Sequence, residues 1–326
     1  MILLLLSVFC ATIPMITFLA VVWWLDRYDR EPVWLVLITF MWGAVGAIIG
    51  ALVTGIPSSF LLKLAIGTGA ANTLSPVIIA PLTEEPLKAL ILFLVIRSKH
   101  FDNVTDGFVY GAAAGLGFGM TENFLYFASV IQGGFGIWLQ TVIIRTLFSA
   151  VMHATATATV GAALGYARFR PIPLQGAIVI GGFSIAIGMH ALWNGLIVAS
   201  DAFTQPVVHL ANFGILPIEV VVVAAVFLLC IHSEKSVIRR HLRAEAKRGV
   251  LPQSHVKILT STLKRGRRGW LQAGIPQDKY VTTATSLAFK LEQMRRAPKR
   301  RKKDFEAQAN TLRAELKQLQ QQAKPA

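Results

Sequence analysis

Long apolar runs, separated by short polar segments, dominate the first 232 residues of the chain. Seven of these runs are near the roughly 20 residues that a helix needs to cross a bilayer. They are residues 2–25, 33–54, 75–96, 107–131, 138–167, 173–200 and 213–232. The pattern therefore predicts an all-α polytopic membrane protein, built as a bundle of about seven transmembrane helices.

Residues 57–70 form a shorter apolar segment that contains Lys63 and ends near glycines. It falls short of the roughly 20 residues of a membrane-spanning helix. We expect an interfacial or re-entrant piece here, and an eighth transmembrane helix is the alternative.

The loops between the apolar runs differ in charge. Loops that contain lysine or arginine alternate with loops that contain neither. The basic loops are 26–32, 97–106 and 168–170, and the loops without lysine or arginine are 68–75, 132–136 and 200–212. Cytoplasmic loops of membrane proteins carry an excess of basic residues. With seven spans, the N-terminus is therefore expected outside and the C-terminus in the cytoplasm.

Composition supports a membrane protein and divides the chain in two. The 326 residues are 54% hydrophobic and 15% charged, whereas a soluble globular domain is about 25% charged. Residues 1–232 hold 9 Lys/Arg and 10 Asp/Glu, but residues 233–326 hold 23 and 7, a net charge of +16. We therefore expect a transmembrane domain over 1–232 and a basic, soluble cytoplasmic extension over 233–326.

The basic extension has helical composition over residues 234–248, 280–296 and 302–322. Its densest basic run, 295–304, is suited to contact anionic lipid at the membrane surface, where each basic residue contributes about 1 kcal/mol. A solvated linker is the alternative. No recognisable nucleic-acid-binding motif accompanies the charge, so no nucleic-acid partner is expected.

Polar and charged residues interrupt four of the apolar runs. Such residues are costly in hydrocarbon and usually mark a pathway or a reaction site. They are Glu84, Glu85 and Lys88 in the third run, Glu122 and Asn123 in the fourth, Arg145 and His153 in the fifth, and His190 and Asn194 in the sixth. Glu84, Glu122 and His190 lie nine or ten residues from the outer ends of their runs, about 15 Å at 1.5 Å per residue, and His153 lies fifteen residues from the start of its run. They can therefore meet near the middle of the membrane, whereas we expect Arg145 to extend to the outer interface.

Helical spacing and the prolines agree with such a meeting point. Gly107, Gly111, Gly115 and Gly119 are each four residues apart, and rows of small residues let membrane helices approach closely. The fourth helix can thus pack tightly and hold its glutamate in place. Prolines 81 and 86 flank the paired glutamates and remove backbone donors, which predicts a kinked helix beside a wet pocket.

The residue types suit more than one chemistry. Histidines and carboxylates are the ligands of a catalytic zinc that keeps an open position for water. Without a metal, a glutamate can act as general base on water, and histidine or asparagine donors can hold the oxyanion. Both routes hydrolyse an amide. A transporter or a regulatory scaffold with no hydrolytic activity is the alternative.

Several short motifs, in this order, resemble those of the PrsW-type intramembrane proteases, which belong to a superfamily with the CAAX prenyl proteases. "DRYDREP" (26–32) resembles the loop after their first helix, "TEEPLK" (83–88) their E-E-x-x-K motif and "FGMTEN" (118–123) their F-x-x-x-E-N motif. His153 stands where the family has a single histidine, and "HALWN" (190–194) resembles H-x-x-W-N. The likeness covers about residues 20–200.

The resemblance implies hydrolysis of a peptide bond in a membrane-anchored protein substrate, such as an anti-sigma factor, in the plasma membrane of a bacterium. It implies Glu84 as the base that activates water, with Glu85 in support. Glu122, His153, His190 and Asn194 would complete the catalytic set, and Lys88 and Asn123 would support it. Zn²⁺ is an implied cofactor, with His153, His190, Glu122 and Glu85 as candidate ligands, and a metal-free glutamate mechanism is the alternative.

Overall fold

The structure of the protein is a computed structural model in which helices form all the regular structure of the described residues. It describes the backbone of residues 1–323 apart from 27, 99, 102, 169, 203–205 and 298. It describes the side chains of the same residues apart from 200–217, 219, 220, 222, 223, 299 and 300. The predicted all-α fold class is confirmed.

Among the residues that the structure describes, ten α-helices precede residue 248. They are α1 (Ile2–Leu25), α2 (Val33–Met41), α3 (Ile48–Ile66), α4 (Thr68–Leu74), α5 (Ala80–Val95), α6 (Val104–Ser129), α7 (Phe135–Ile144), α8 (Ala150–Ala167), α9 (Ile172–Ala202) and α10 (Pro206–Lys247). Three more follow: α11 (Gln253–Leu259), α12 (Gln277–Arg296) and α13 (Lys299–Gln321).

Three pairs of these helices are continuous through a π-helical turn. The turns are Trp42–Ala47 between α2 and α3, Ser75–Ile79 between α4 and α5, and Arg145–Ser149 between α7 and α8. A π turn places an additional residue in the helical register and is often found at functional sites. Each turn therefore changes which residues share a face on either side of it.

In the described part of the chain, four helical runs are long and apolar enough to cross a membrane. They are Ile2–Leu25, Val33–Ile66, Phe135–Ala167 and Ile172–Ala199. The α5 and α6 helices, which carry four of the charged residues in the apolar runs, are not among them. The chain is thus an integral membrane protein by fold, and the count of about seven spans stays a prediction.

The segment 57–70 differs from its prediction. Residues 57–66 are the last part of α3, which continues the helical run that begins at Val33, and Pro57 lies inside the helix. The chain turns only at Gly67, whose φ of 83° lies in a region that a residue without a Cβ enters readily. The prediction of a separate interfacial, re-entrant or spanning piece is therefore wrong, because the helix end is set by Gly67 and not by Pro57.

Close packing of α6 against α8 depends on the predicted glycine row. A Cβ on Gly107, Gly111 or Gly115 would collide with the α8 backbone at Gly161, Thr157 and His153, respectively. Backbones of membrane helices approach this closely only where small residues form the interface. The contact lies along the helix that carries His153, so it fixes the distance between that residue and α6.

The contacts of the chain divide it into two compact units. The first consists of Met1–Leu25, Glu31–Ala167 and Ile172–Phe227, and the second of Asp26–Arg30, Arg168–Pro171 and Leu228–Ala326. The core of the first unit contains residues of α1, α2, α5, α6, α8 and α9. In α6, 17 of the described residues are buried, which makes it the central helix of this unit.

The second unit is a folded helical body with its own apolar core. The predicted helical segments of the extension are confirmed as parts of α10, α12 and α13. Tyr28, from the loop after α1, donates a hydrogen bond to the carbonyl of Thr260 at 3.0 Å. Arg265 donates to the carbonyl of Tyr28 at 3.0 Å and to Thr285 Oγ1 at 3.1 Å. Buried members of the core include Ile238, Leu242, Leu259, Tyr280, Leu287 and Leu316.

Candidate active site

Four helices of the first unit bring polar side chains into contact with one another. We call this set the polar cluster: Glu84, Glu85 and Lys88 from α5, Glu122 from α6, His153 from α8 and His190 from α9. The helices that the sequence singled out do converge here. The chemical roles assigned to the individual residues stay predictions.

Lys88 lies at the centre of the polar cluster and is completely buried. Its Nζ is 2.7 Å from Glu85 Oε1, 2.8 Å from His153 Nδ1 and 3.4 Å from Glu84 Oε2. An ammonium group has three protons to donate and accepts none. Glu85 and His153 each accept one of them, whereas the contact with Glu84 is an ion pair by distance without hydrogen-bond geometry. The ring of Phe118 lies 4.0 Å from Nζ and adds a cation–π contact. The positive charge of Lys88 is thus balanced by two carboxylates and by the ring of Phe118.

His190 is oriented by Glu85. Its Nδ1 lies 2.8 Å from Glu85 Oε1, and because a carboxylate only accepts hydrogen bonds, Nδ1 carries the proton. The other nitrogen, Nε2, is then unprotonated in the neutral ring, and it lies 3.9 Å from Glu84 Oε2. Thr157 donates to the second oxygen of Glu85 at 3.2 Å. A completely buried carboxylate therefore fixes the ring of His190.

His153 is held in a defined tautomer by two neighbours. Lys88 can only donate, so Nδ1 of His153 must accept, and its proton lies on Nε2. Nε2 then donates to Glu122 Oε2, 2.6 Å away. The same carboxylate oxygen is 2.6 Å from Nη2 of Arg145. The two rings of His153 and His190 meet edge to face, with centroids 4.9 Å apart.

Arg145 contacts three residues of α6. Besides its ion pair with Glu122, its Nε donates to Asn123 Oδ1 at 3.1 Å, and its guanidinium lies 3.6 Å from the ring centre of Tyr126. Asn123 in turn donates to the carbonyl of Arg145 at 3.4 Å. The expectation that Arg145 extends to the outer interface is wrong, because Glu122 offers the guanidinium a counter-charge beside the polar cluster.

Glu84 differs from the other two glutamates of the polar cluster. Its side chain is 14% exposed, whereas that of Glu85 is completely buried. Its Oε2 is buried and has no hydrogen-bond donor in proper geometry, although Lys88 and His190 lie near it. A buried carboxylate oxygen without a donor is costly. This atom is therefore the open acceptor of the polar cluster.

Asn194 does not join the hydrogen bonds of the polar cluster. Its amide donates to the backbone carbonyl of Pro76 at 2.8 Å. In the π turn, the Ala80 N–H reaches back five residues to Ser75, and the next residue in this pattern, Pro81, has no N–H. The carbonyl of Pro76 thus lacks the donor that the pattern would supply, and Asn194 replaces it.

Sequence reasoning missed Arg145 and Thr157 as members of the site, and it gave Phe118 no contact. Thr157 lies four residues after His153, a spacing that places both on one helix face, so a signal was present. Arg145 is separated from His153 by the π turn Arg145–Ser149. Its position in the sequence therefore gave no reliable indication of its partner.

A metal ion fits the donor set of the polar cluster. One ligand atom each from Glu84, His153 and His190 lies within 4.8 Å of the others. Glu84 Oε2 has no donor, and the Nδ1 of His190 donates to a carboxylate, which is how metal-binding histidines are commonly oriented. His153 uses both ring nitrogens in hydrogen bonds, so it would exchange one of these bonds for a metal.

Comparison with known proteins agrees with these observations. The chain is 34% identical over 157 residues to the "Protease PrsW" of Bacillus subtilis (strain 168), an alignment that covers 48% of this chain and 66% of the relative. It is 33% identical over 138 residues to the protein of that name from Clostridioides difficile (strain 630), covering 42% and 55%. The relative of that name from Geobacillus kaustophilus (strain HTA426) is 28% identical over 177 residues, covering 54% and 72%.

The chain thus spans less than two thirds of the length of the first two relatives. No solved structure matches it. A family model described as "PrsW family intramembrane metalloprotease" matches residues 31–230, which is more than half of the chain and includes the whole polar cluster. The chain belongs to the PrsW family of intramembrane metalloproteases.

Proposed function

We propose that the protein hydrolyses a peptide bond of a membrane-associated protein, with the polar cluster as its active site. The observation that carries this proposal is the open acceptor, Glu84 Oε2, which is buried, lacks a donor and faces the unprotonated Nε2 of His190. The Glu84 side chain as a whole is partly exposed, so water can reach the carboxylate group. A general base must lie within hydrogen-bonding reach of the proton that it removes.

The residues of the polar cluster divide the work of hydrolysis. Glu84 takes a proton from water as the water oxygen attacks the carbonyl carbon of the substrate. The same proton passes to the amide nitrogen as the C–N bond breaks, which leaves a carboxylic acid and an amine. Lys88 compensates the charges of the paired glutamates, and Glu85 holds His190 in place. Apolar surroundings strengthen each of these electrostatic contacts.

We propose that Glu84, His153 and His190 hold a metal ion when one is bound, as the family's description as metalloproteases suggests, and that Glu84 is the general base of the metal-free reaction. A bound Zn²⁺ would supply a water molecule of lowered pKa and an electrophile for the carbonyl oxygen. Glu85 and Glu122, which the sequence had suggested as ligands, bond to the ring nitrogens of His190 and His153. We therefore assign them the orientation of these rings.

The substrate, the orientation and the lipid contacts remain parts of the same proposal. A membrane-anchored protein of the anti-sigma-factor class is the substrate that the resemblance suggests. The N-terminus would lie outside and the basic second unit in the cytoplasm, where its net positive charge favours anionic lipid. Asn194 is not an oxyanion donor in this scheme, because its amide donates to Pro76.

The proposal is tested by replacing Glu84 and His190. We expect Glu84→Gln and His190→Ala to insert normally into the membrane and to lose cleavage. Glu84→Gln lacks the carboxylate that acts as the base, and His190→Ala lacks the imidazole of the polar cluster. New N-termini of single-span membrane proteins, labelled in cells that express the wild type or a variant, measure cleavage. Exposed Glu306→Gln and His232→Ala are matched controls. Wild-type cleavage by Glu84→Gln would exclude this active site.

The metal is tested separately on the purified protein. We expect about one equivalent of metal in the wild type and loss of this metal in His190→Ala but not in His232→Ala. Elemental analysis measures the content, and an activity assay with and without chelator measures the requirement. Full activity in a metal-free preparation would leave the glutamate base alone as the mechanism.

A further inference from the structure

Arg145 lies outside every role assigned so far, yet it is tied to the polar cluster more firmly than Glu84 is. Its guanidinium contacts the side chains of Glu122, Asn123 and Tyr126, and its backbone carbonyl accepts from Asn123. The completely buried Asn123 therefore bonds both the guanidinium and the backbone carbonyl of Arg145. These contacts restrict the conformations that the Arg145 side chain can adopt.

The carboxylate of Glu122 connects this arrangement to His153. One oxygen, Oε2, lies 2.6 Å from both Arg145 Nη2 and His153 Nε2. The contact with Nη2 is an ion pair by distance, but its angles do not make it a hydrogen bond. Arg145 thus neutralises the carboxylate of Glu122 and holds it in position. The hydrogen bond to Oε2 of Glu122 is donated by His153.

The position of Glu122 in turn determines how Lys88 divides its protons. Because Nε2 of His153 donates to Glu122, its Nδ1 must accept from Lys88, 2.8 Å away. Of the other two protons of Lys88, one is accepted by Glu85, and the ammonium faces the carboxylate of Glu84 in an ion pair. If His153 changed to the other tautomer, Nδ1 would point a proton at the ammonium, and the two groups would separate.

We propose that Arg145 is a positioning residue of the reaction, which holds Glu122 against His153 and so maintains the tautomer that Lys88 requires. This inference rests on the proposed peptidase function. Arg145 does not contact Glu84, so it acts through the chain Glu122–His153–Lys88. Its loss should therefore slow the chemical step and leave substrate binding largely unchanged.

The geometry also explains why an arginine is needed. The planar guanidinium engages the carboxylate of Glu122 through Nη2 and the amide of Asn123 through Nε at the same time. A lysine ammonium is a single point charge on a flexible stem. Arg145→Lys can thus restore the charge beside Glu122 but not both contacts, and it should recover part of the activity that Arg145→Gln loses.

The first test is kinetic, on the full chain reconstituted in lipid. We expect Arg145→Gln to lower kcat about 10- to 100-fold, the usual effect of losing a residue that orients a site residue, with KM unchanged. Arg145→Lys should fall between, and Arg145→Gln/Glu122→Gln should be no slower than the slower single variant, since both act through one contact. Arg239→Gln, an exposed arginine, is the control.

The second test does not depend on peptidase activity. Nitrogen NMR of histidine-labelled protein, assigned with His153→Gln, should show a proton on Nε2 of His153 in the wild type and a tautomer mixture in Arg145→Gln. A wild type with this tautomer but without cleavage contradicts the proposed function and leaves the positioning role intact. Wild-type kcat in Arg145→Gln, multiplied losses in the double variant, or an unchanged His153 tautomer would each overturn the inference.

Discussion

Single residues show how the helix beside the paired glutamates remains intact despite its prolines. The sequence predicts that Pro81 and Pro86 kink the third helix. In the structure, the helix continues through the π turn Ser75–Ile79 into α5, with Pro86 inside it. The carbonyl of Pro76, which loses a donor in this arrangement, is bonded by the side chain of Asn194. Because Pro81 has no N–H, the carbonyl of Pro76 receives its hydrogen bond from Asn194 of α9 instead.

Replacement of Asn194 tests this contact. We expect Asn194→Ala to lower the stability of the first unit by about 1–3 kcal/mol, the cost of an unpaired polar group in apolar surroundings. Asn194→Asp should be no better, because an ionised carboxylate has no proton to donate to a carbonyl. Thermal unfolding in detergent measures the effect, and Asn72→Ala, at an exposed position, is the control. Equal melting temperatures for both alanine variants would contradict the contact.

The residues of the polar cluster could be named from the sequence, because a charged or polar residue inside an apolar run can be recognised without a structure. Glu84, Lys88, His153 and His190 were all found in this way. The partner of Arg145 could not be predicted, because a π turn changes the helical phase between it and His153. The role of Asn194 was also out of reach, because it depends on a backbone carbonyl of a different helix.

At the scale of helices, the glycine row on α6 is the feature that the sequence predicted best. Spacing of four residues indicates a common face, and this face does contact α8. What the sequence could not supply is the length of individual helices, since α3 continues past Pro57 to Gly67. Proline marks a helix end only when the surrounding structure cannot accommodate it.

Substitution of a glycine in this row should separate α6 from α8. We expect Gly115→Val to abolish cleavage and to cost at least about 1–3 kcal/mol of stability, the usual effect of overpacking, since its side chain would meet the backbone of His153. Unfolding temperature and cleavage are the measurements. Gly176→Val on α9, where an added Cβ meets nothing within 4 Å, is the control. Normal cleavage by Gly115→Val would show that this contact does not position His153.

At the scale of the whole molecule, the basic extension is a folded unit in which a buried carboxylate is paired with basic side chains. Glu292 is bonded by His241 at 2.8 Å, Arg295 at 2.6 Å and Arg296 at 2.7 Å. Burial alone would raise the pKa of Glu292, but these hydrogen bonds outweigh it and hold the pKa well below its usual value. The sequence predicted the helices here, but not that the loop containing Tyr28 belongs to the same core.

Acid should therefore destabilise the second unit. A carboxyl whose pKa is lower in the folded state stabilises that state above the unfolded pKa of about 4.3, and this stability is lost as pH falls. We expect Glu292→Gln to weaken the pH dependence and to lower stability at neutral pH. The fluorine resonance of fluorinated Trp270, which packs against this core, reports unfolding in the full chain. An acid response in Glu292→Gln equal to that of the wild type or the Glu306→Gln control would contradict the prediction.

The second unit contains both loop residues and the C-terminal extension. This affects how the side of the membrane on which each loop lies should be measured. Reporter enzymes are commonly fused to progressively shortened chains, and each fusion is assumed to report on an otherwise intact membrane segment. Here the loop residue Tyr28 is hydrogen-bonded to Thr260 and Arg265, which every fusion that ends before Thr260 would remove. Loop accessibility is therefore best measured with single cysteines in the full-length chain, where this unit can form.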